Sequence, residues 1–208
     1  MKYIKNNPKR ARSILESMFQ PIMQFICENN GYNALPRVVS KEEFDVLSKS
    51  QAVLFRGVSS SNGKTAQQIA DEFRYGELFI SKGKYGSGTY TTYKVEVANN
   101  YGESAFKYKR NNTDKTENDN NDDKSISVLR IISNDEVKFA DYKELWTEWF
   151  DLEEKRTLPQ NCDNPYYYIL KDIGIYAILK GYDAISLNGY NGEDFVVILN
   201  RGKFIVEE

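Results

Sequence analysis

The sequence contains no histidine and only two cysteines among its 208 residues. Histidine is the commonest general base and the commonest metal ligand, so its absence excludes serine–histidine triads, cysteine–histidine dyads and histidine-bearing zinc sites. Cys27 and Cys162 are too few and too far apart for a disulfide framework or a four-ligand zinc site, which indicates free thiols in a reducing compartment. Any chemistry must therefore use carboxylates, tyrosine, lysine, arginine or a bound cofactor.

The sequence also lacks a long apolar run and a strong excess of charge. Residues 1–8 do not form the apolar stretch of a secretion signal, and no later segment approaches the ~20 apolar residues of a membrane span. The 28 basic and 30 acidic residues give a formal net charge of -2. We therefore expect a cytoplasmic protein with no membrane partner. We do not expect nucleic acid as a partner either, because no overall positive field would attract a polyanion.

The length of the chain suits one domain with an N-terminal extension. Residues 9–29 carry apolar side chains at helical spacing, and Ser40 with Glu43 forms the pattern of a capping box. We therefore expect a helical extension over residues 1–50, packed on a core domain over residues 51–208. Within this core domain we expect a flexible surface loop at 107–124, because that segment is polar and has almost no apolar side chains to offset the entropy of ordering.

Strands and helices alternate irregularly in the predicted core domain. Short apolar runs predict strands at 52–56, 77–81, 127–132, 136–140, 182–187, 194–199 and 204–206, the last two forming a hairpin. Helical spacing predicts helices at 65–74, 94–101, 142–154 and 166–180, and the third of these is expected to bury Leu145, Trp146, Trp149, Phe150 and Leu152. This order indicates an α+β fold with a mixed sheet rather than a doubly wound parallel one.

Two segments carry residue types that suit the binding of a phosphate and of a planar ring. The run Leu54–Gly57 places Arg56 at the end of a predicted strand, and an arginine fork binds phosphate in a bidentate manner. Gly57 permits close approach of a backbone, and the later Tyr90 supplies an aromatic ring. Between them lies a turn expected to offer backbone amides with little steric cover, at Gly86, Ser87, Gly88 and Thr89.

A pair of acids, Glu193 and Asp194, opens the last long apolar strand. A carboxylate at this position can stabilise positive charge that develops on a sugar when its glycosidic bond breaks. Successive side chains of a strand point to opposite faces, so the two acids cannot enter one cleft together. We favour Glu193 as the acid, because it stands where the turn ends and has the longer side chain, and Asp194 is the alternative.

The order of these segments resembles that in the ADP-ribosyltransferases, and most closely the phage-associated and toxin-like bacterial members with an arginine–glycine first motif. The resemblance extends over residues 54–206 and is carried by Arg56-Gly57, the turn Gly83–Tyr90, Ala98-Asn99-Asn100-Tyr101, Gly181–Ile185 and Asn200-Arg201. In the family the acid directly precedes an aromatic residue, whereas here Asp194 precedes Phe195 and Glu193 lies one residue earlier. The double-acid signature of arginine-specific transferases is missing, so the acceptor residue stays open.

The resemblance implies a mixed, mainly antiparallel split β-sheet and a mono-ADP-ribosyltransferase activity, and it does not account for the predicted N-terminal helices. Such an enzyme releases nicotinamide from NAD and transfers ADP-ribose to a macromolecular acceptor, here a protein of a bacterial host cell. Arg56 would anchor phosphate or ribose, Gly57 the nicotinamide amide, and Tyr90 the ring. Glu193 or Asp194 would stabilise the transition state, and NAD would also contact Gly86, Ser87, Gly88, Thr89 and Tyr101. Two alternatives are an NAD glycohydrolase and an inactive binding protein with the same fold.

Overall fold

The computed structural model describes residues 21, 24–60, 63–76, 83–100, 126–155, 172–192 and 194–208. The described strands are β1 (Arg37–Val39), β2 (Leu54–Ser59), β3 (Thr89–Thr92), β4 (Ile126–Ser133), β5 (Phe139–Asp141), β6 (Ala184–Ser186), β7 (Phe195–Ile198) and β8 (Phe204–Glu207). The helices are α1 (Lys41–Leu47), α2 (Ala66–Tyr75), α3 (Tyr142–Lys155) and α4 (Ile173–Leu179). Residues 24–29 and 95–100 are also helical.

The eight strands form one sheet in the order β1-β8-β4-β2-β3-β7-β6-β5. The β1–β8 and β5–β6 pairs are parallel, and the other five are antiparallel. This confirms the predicted mixed, mainly antiparallel sheet of an α+β fold. Strand β2 pairs with β4 along its whole length, whereas β2 and β3 share a single registered pair, Phe55 with Thr92. The sheet is therefore weakly joined at its centre.

Apolar side chains cover both faces of the sheet. On one face α4 packs against the inner strands through residues such as Ile175, Ile178 and Val197. On the other face the apolar stripe of α2 covers β2, β4 and β8 in a second cluster. A smaller cluster around the fully buried Phe44 of α1 lies against the outer strands. Burial of these three sets contributes hydrophobic stabilisation to the described part of the fold.

Helix boundaries follow the local signals in the sequence. The Oγ atom of Ser40 accepts a hydrogen bond from the backbone N–H of Glu43 at 3.3 Å, as the capping-box pattern predicted for the start of α1. A complete capping box of Thr65 and Gln68 begins α2. Gly181, with φ +81°, follows α4 in the left-handed conformation expected after a helix end.

Two expectations about strand placement are wrong. The last two strands do not form a hairpin, because β8 lies between β1 and β4 and is remote from β7 in the sheet. Buried Arg201 lies in the segment that joins β7 to β8, and its guanidinium donates to the carbonyls at the end of α2. These hydrogen bonds hold the segment against α2, which packs on the half of the sheet that contains β8. Residues 37–39 form a strand paired with β8, inside the segment predicted to be a helical extension.

The predicted burial along α3 is correct for one side of the helix and wrong for another. Leu145 is buried and Trp149 packs partly against the same core. Trp146 and Phe150 are instead 38% and 36% exposed, and their rings stack on each other with centroids 4.8 Å apart. The four-residue spacing places these two rings on a stripe adjacent to the one that faces α4, so they shield each other rather than entering the core.

Several expectations fall on residues that the structure does not describe. These are residues 1–20, the strand at 77–81, Tyr101, the loop at 107–124, the first part of the helix at 166–180, the side chain of Leu152, Cys162 and Glu193. Among the helices that are described, none has both the length and the apolar character needed to cross a bilayer.

Candidate functional site

Three of the predicted segments lie on neighbouring strands at the centre of the sheet. Phe55 on β2, Thr92 on β3 and Phe195 on β7 are in register across these strands. Arg56 directly follows the first of them and Asp194 directly precedes the last. Two strand spacings separate β2 from β7, which is about 10 Å. The fold thus brings the arginine and the acid-bearing end of β7 to one region.

The sequence predicted Arg56 at the end of its strand, but the residue lies in the middle of β2. Its guanidinium is buried, and burial lowers its pKa to about 10, which leaves the group charged at neutral pH. One terminal nitrogen donates to the backbone carbonyl of Tyr90 at 3.4 Å, while the buried Nε atom has no hydrogen-bond partner among the described residues. No carboxylate in the described part of the chain pairs with this cation. Arg56 is therefore a half-buried positive charge with little compensation from the described residues.

Tyr90 lies beside Arg56 but uses its hydroxyl to close a turn. The backbone N–H of Tyr85 donates to the hydroxyl at 2.7 Å, and the hydroxyl donates to the carbonyl of Gly86 at 2.8 Å. Burial raises the pKa of this phenol well above its ordinary value, so it stays protonated. A Cβ atom at Gly83 would lie 2.2 Å from the tyrosine hydroxyl, so glycine is required where the turn covers the ring. The ring is half-buried and fixed in orientation.

The glycine-rich turn, residues 83–88, is exposed at its first two residues but buried over residues 85–88, so the expectation of little steric cover at Gly86, Ser87 and Gly88 is wrong. Ser87 is fully buried, and both its backbone N–H and its hydroxyl donate to the carboxylate of Asp172, at 2.9 Å and 2.6 Å. Thr89, at the start of β3, is also buried. The amide of Ser87 and its hydroxyl are thus already used by a protein carboxylate and are not available to a phosphate.

The glycines of this turn allow close packing with other parts of the chain. Gly86 has φ +101°, and a Cβ atom there would lie 2.6 Å from the backbone nitrogen of Gly174. A Cβ atom at Gly88 would lie 2.4 Å from a methyl group of Val197 on β7. These contacts explain the glycines without a ligand, and they correct the prediction that Gly86 and Gly88 expose backbone to a pyrophosphate.

Gly57 has a close backbone neighbour, as predicted, but the neighbour belongs to the chain itself. A Cβ atom at Gly57 would lie 1.7 Å from the carbonyl oxygen of Ala98, in the helical segment 95–100. Two segments of the predicted motif set, Arg56-Gly57 and the run that begins at Ala98, therefore meet directly. The contact holds the helical segment against β2, next to Arg56.

We expect Gly57→Ala to destabilise the protein, because a methyl group cannot fit beside the backbone carbonyl of Ala98 and both segments must shift. The free energy of unfolding should fall by about 2–3 kcal/mol. Urea denaturation monitored by tryptophan fluorescence measures this loss. Ser59→Ala, two residues along β2, is the matched control and should change stability by less than about 0.5 kcal/mol. Equal stabilities of the two variants would contradict the packing role of Gly57.

Of the two acids of the site, the structure describes Asp194 and not Glu193. Asp194 forms an ion pair with Lys94, with Oδ2 and Nζ 2.9 Å apart, and the two side chains are 39% and 57% exposed. Exposed pairs of this kind contribute little to stability. Glu193 lies outside the described residues, as does Tyr101. The choice between the two acids therefore depends on their positions in the sequence and on the engagement of Asp194 by Lys94.

Sequence reasoning did not identify Asp172 and Lys94. Asp172 is the N-cap of α4, and an aspartate directly before the apolar run Ile173–Leu179 is the signal that could have indicated this. Lys94 carried no such signal, because its ion pair joins residues 100 positions apart that meet only through the pairing of β3 with β7.

The core against which Tyr90 packs contains a cluster of other tyrosine rings. The rings of Tyr85, Tyr142 and Tyr190 form an edge-to-face cluster with centroids 4.9 to 6.4 Å apart. Tyr90 and Phe195 pack partly against the same core. Such edge-to-face contacts favour one arrangement of the rings. The half-buried Tyr90 therefore packs against a core whose tyrosine rings hold one another in place.

Comparison of the chain with protein-family models, with curated proteins and with solved structures found no match. What the site can do chemically follows from its own residues. A half-buried guanidinium with a donor that no described residue uses can bind an anion in bidentate fashion, and Tyr90, whose backbone carbonyl it contacts, can offer its ring to a planar group. A carboxylate at the start of β7 can stabilise a nearby positive charge.

Proposed function

We propose that this protein is a mono-ADP-ribosyltransferase that cleaves NAD and transfers ADP-ribose to a macromolecule. The observation that carries the proposal is Arg56, a half-buried cation with a buried Nε atom and no carboxylate partner among the described residues. Burial of an uncompensated charge costs several kcal/mol in proteins. An anionic ligand would offset this cost, and the pyrophosphate of NAD presents oxygens that suit an arginine fork.

The surroundings of Arg56 support a crevice for a dinucleotide. Beyond the single pair of Phe55 with Thr92, β2 and β3 are not paired, and the arginine side chain reaches across to Tyr90. In the proposed complex the phosphates bind Arg56, and the nicotinamide ring lies against Tyr90 near the backbone of Gly57. The adjacent strand β7 brings an acid to the other side of the ribose.

In the proposed reaction the bond between C1′ of the ribose and the pyridinium nitrogen breaks, and its electron pair goes to that nitrogen. Nicotinamide leaves as a neutral molecule, and positive charge develops on the ribose. We assign the stabilising carboxylate to Glu193, since Asp194 is engaged by Lys94. A nucleophile of the acceptor then forms a bond to C1′ and loses its proton. By resemblance to phage-associated members, we propose a protein of the bacterial host as the acceptor and the host cytoplasm as the place of action.

The test uses NAD labelled in its nicotinamide and, separately, in its adenine, with the purified protein and a bacterial lysate. We expect release of labelled nicotinamide and attachment of the adenine label to a protein band, which mass spectrometry would then assign. Release of nicotinamide with no labelled macromolecule would replace transfer by hydrolysis. Absence of both release and calorimetric binding of NAD would contradict the proposal and favour a protein that keeps the fold without the activity.

A further inference from the structure

We infer that Asp172 is a positioning residue, which holds the glycine-rich turn and thereby fixes Tyr90 against the nicotinamide ring. Because this role requires NAD, it rests on the proposed function. Asp172 lies 82 positions after Tyr90 in the sequence and does not contact its ring in the proposed complex. It acts through Ser87 and the turn, so it has no part in the chemical step itself.

The carboxylate of Asp172 joins two elements. Oδ1 accepts hydrogen bonds from the backbone N–H groups of Gly174 at 2.8 Å and Ile175 at 3.2 Å, which caps α4. The same oxygen accepts from the backbone N–H of Ser87 at 2.9 Å, and Oδ2 accepts from the hydroxyl of Ser87 at 2.6 Å. Hydrogen bonds to a carboxylate are stronger than those between neutral groups. Capping α4 requires only the hydrogen bonds from Gly174 and Ile175. The two hydrogen bonds from Ser87 therefore give Asp172 a second role, which is to hold the turn.

The contact is transmitted to Tyr90 through two short links. Ser87 directly follows Gly86, whose carbonyl accepts from the hydroxyl of Tyr90, and that hydroxyl accepts from the N–H of Tyr85. Gly174 allows the turn to approach α4, because a Cβ atom there would lie 2.2 Å from the carbonyl oxygen of Ser87. Removing the carboxylate would free the turn on the side that faces α4. The phenol ring would then lose the support that sets its orientation.

The experiment compares Asp172→Ala with Asp141→Ala. Asp141 caps α3 in the same way, with Oδ1 accepting from Lys143 at 2.9 Å and Glu144 at 3.1 Å, but it does not contact the turn. Both variants lose a helix cap, so both should lower the melting temperature. Only Asp172→Ala should raise the KM for NAD, by about ten-fold, with a smaller change in kcat, because it misplaces a group that binds the ring in both ground and transition states.

Two further variants separate positioning from general loss of structure. Ser87→Ala removes only the bond to Oδ2 and should raise the KM less than Asp172→Ala does. Asp172→Asn keeps an oxygen in the place of Oδ1 and should restore most of the affinity. Hydrogen exchange measured without NAD should show faster exchange of the Tyr85 and Ser87 amides in Asp172→Ala and not in Asp141→Ala.

The outcomes distinguish this inference from the proposed function. If the wild-type protein neither binds nor cleaves NAD, the proposed function fails and the positioning role fails with it, whatever the exchange data show. If the wild-type protein cleaves NAD and Asp172→Ala changes KM and kcat no more than Asp141→Ala does, the positioning role is overturned and the proposed function stands. A rise in KM specific to Asp172→Ala, with partial restoration in Asp172→Asn, supports both.

Discussion

Replacing Arg56 with methionine is expected to impair strongly the release of nicotinamide from NAD while leaving the free energy of unfolding unchanged or higher. The buried guanidinium has one long hydrogen bond, to Tyr90, and an Nε atom without a partner in the described part of the chain. Substitution of a poorly compensated buried charge by an apolar side chain of similar length is often neutral or stabilising. Loss of the phosphate contact should reduce kcat/KM by about 100-fold or more, since a bidentate cation contributes several kcal/mol to positioning and charge stabilisation.

Arg201→Met is the matched control for this prediction. Arg201 is also a buried arginine, but its guanidinium donates to the carbonyls of Glu72 and Phe73 at 3.0 Å each and to that of Gly76. Its removal takes this donor from the carbonyls at the end of α2, of which that of Glu72 keeps a hydrogen bond from the Gly76 N–H, so the free energy of unfolding should fall by about 2–4 kcal/mol. The kcat of the folded fraction should stay close to that of the wild-type protein.

Urea denaturation and a nicotinamide-release assay distinguish the two arginines. The expected pattern is a stable, poorly active Arg56→Met protein and a destabilised, active Arg201→Met protein. If Arg56→Met instead loses as much stability as Arg201→Met and retains turnover, then Arg56 is a structural residue. The proposal that Arg56 binds an anion would then fail, and with it the main support for NAD as the ligand. Arg56→Lys should recover only part of the activity, because an ammonium group keeps the charge but not the planar fork.

Local sequence signals were sufficient for the parts of the fold that depend on neighbouring residues. The caps at Ser40 and Thr65 and the apolar runs of β4 and β7 were predictable because each signal lies within a few residues of the structure it determines. The three-residue strand Arg37–Val39 could not be predicted in the same way. It is a strand because it pairs with residues 205–207. The pattern of apolar and polar residues around 37–39 gives no sign of a partner that far along the chain.

The same distinction holds for the candidate site. The order of motifs was sufficient to expect Arg56 and Tyr90 near each other, and the pairing of β2 with β3 brings them together. The burial of the glycine-rich turn was not predictable, because it results from a contact between Ser87 and Asp172, 85 positions apart. Glycine clusters look alike in sequence whether a ligand or a helix covers them. Here α4 is the element that covers the turn.

Glu193→Gln is expected to reduce kcat for nicotinamide release by about 100- to 1,000-fold, because a neutral amide cannot stabilise the positive charge that develops on the ribose. The dissociation constant for NAD should change little, since glutamine has nearly the same shape and the charge on the ribose is absent in the ground state. Single-turnover release of labelled nicotinamide, together with calorimetry, separates these two effects. A large loss of NAD affinity with an unchanged rate would instead assign the residue to binding.

Asp194→Asn is the control that decides between the two adjacent acids. The carboxylate of Asp194 is 39% exposed and paired with Lys94, so its neutralisation should alter kcat by no more than a few-fold and stability by less than about 1 kcal/mol. Because Asp194 is already engaged by Lys94, the two variants should not behave alike. If Asp194→Asn abolishes turnover while Glu193→Gln remains active, Asp194 is the catalytic acid, and the ion pair with Lys94 must then open when NAD binds.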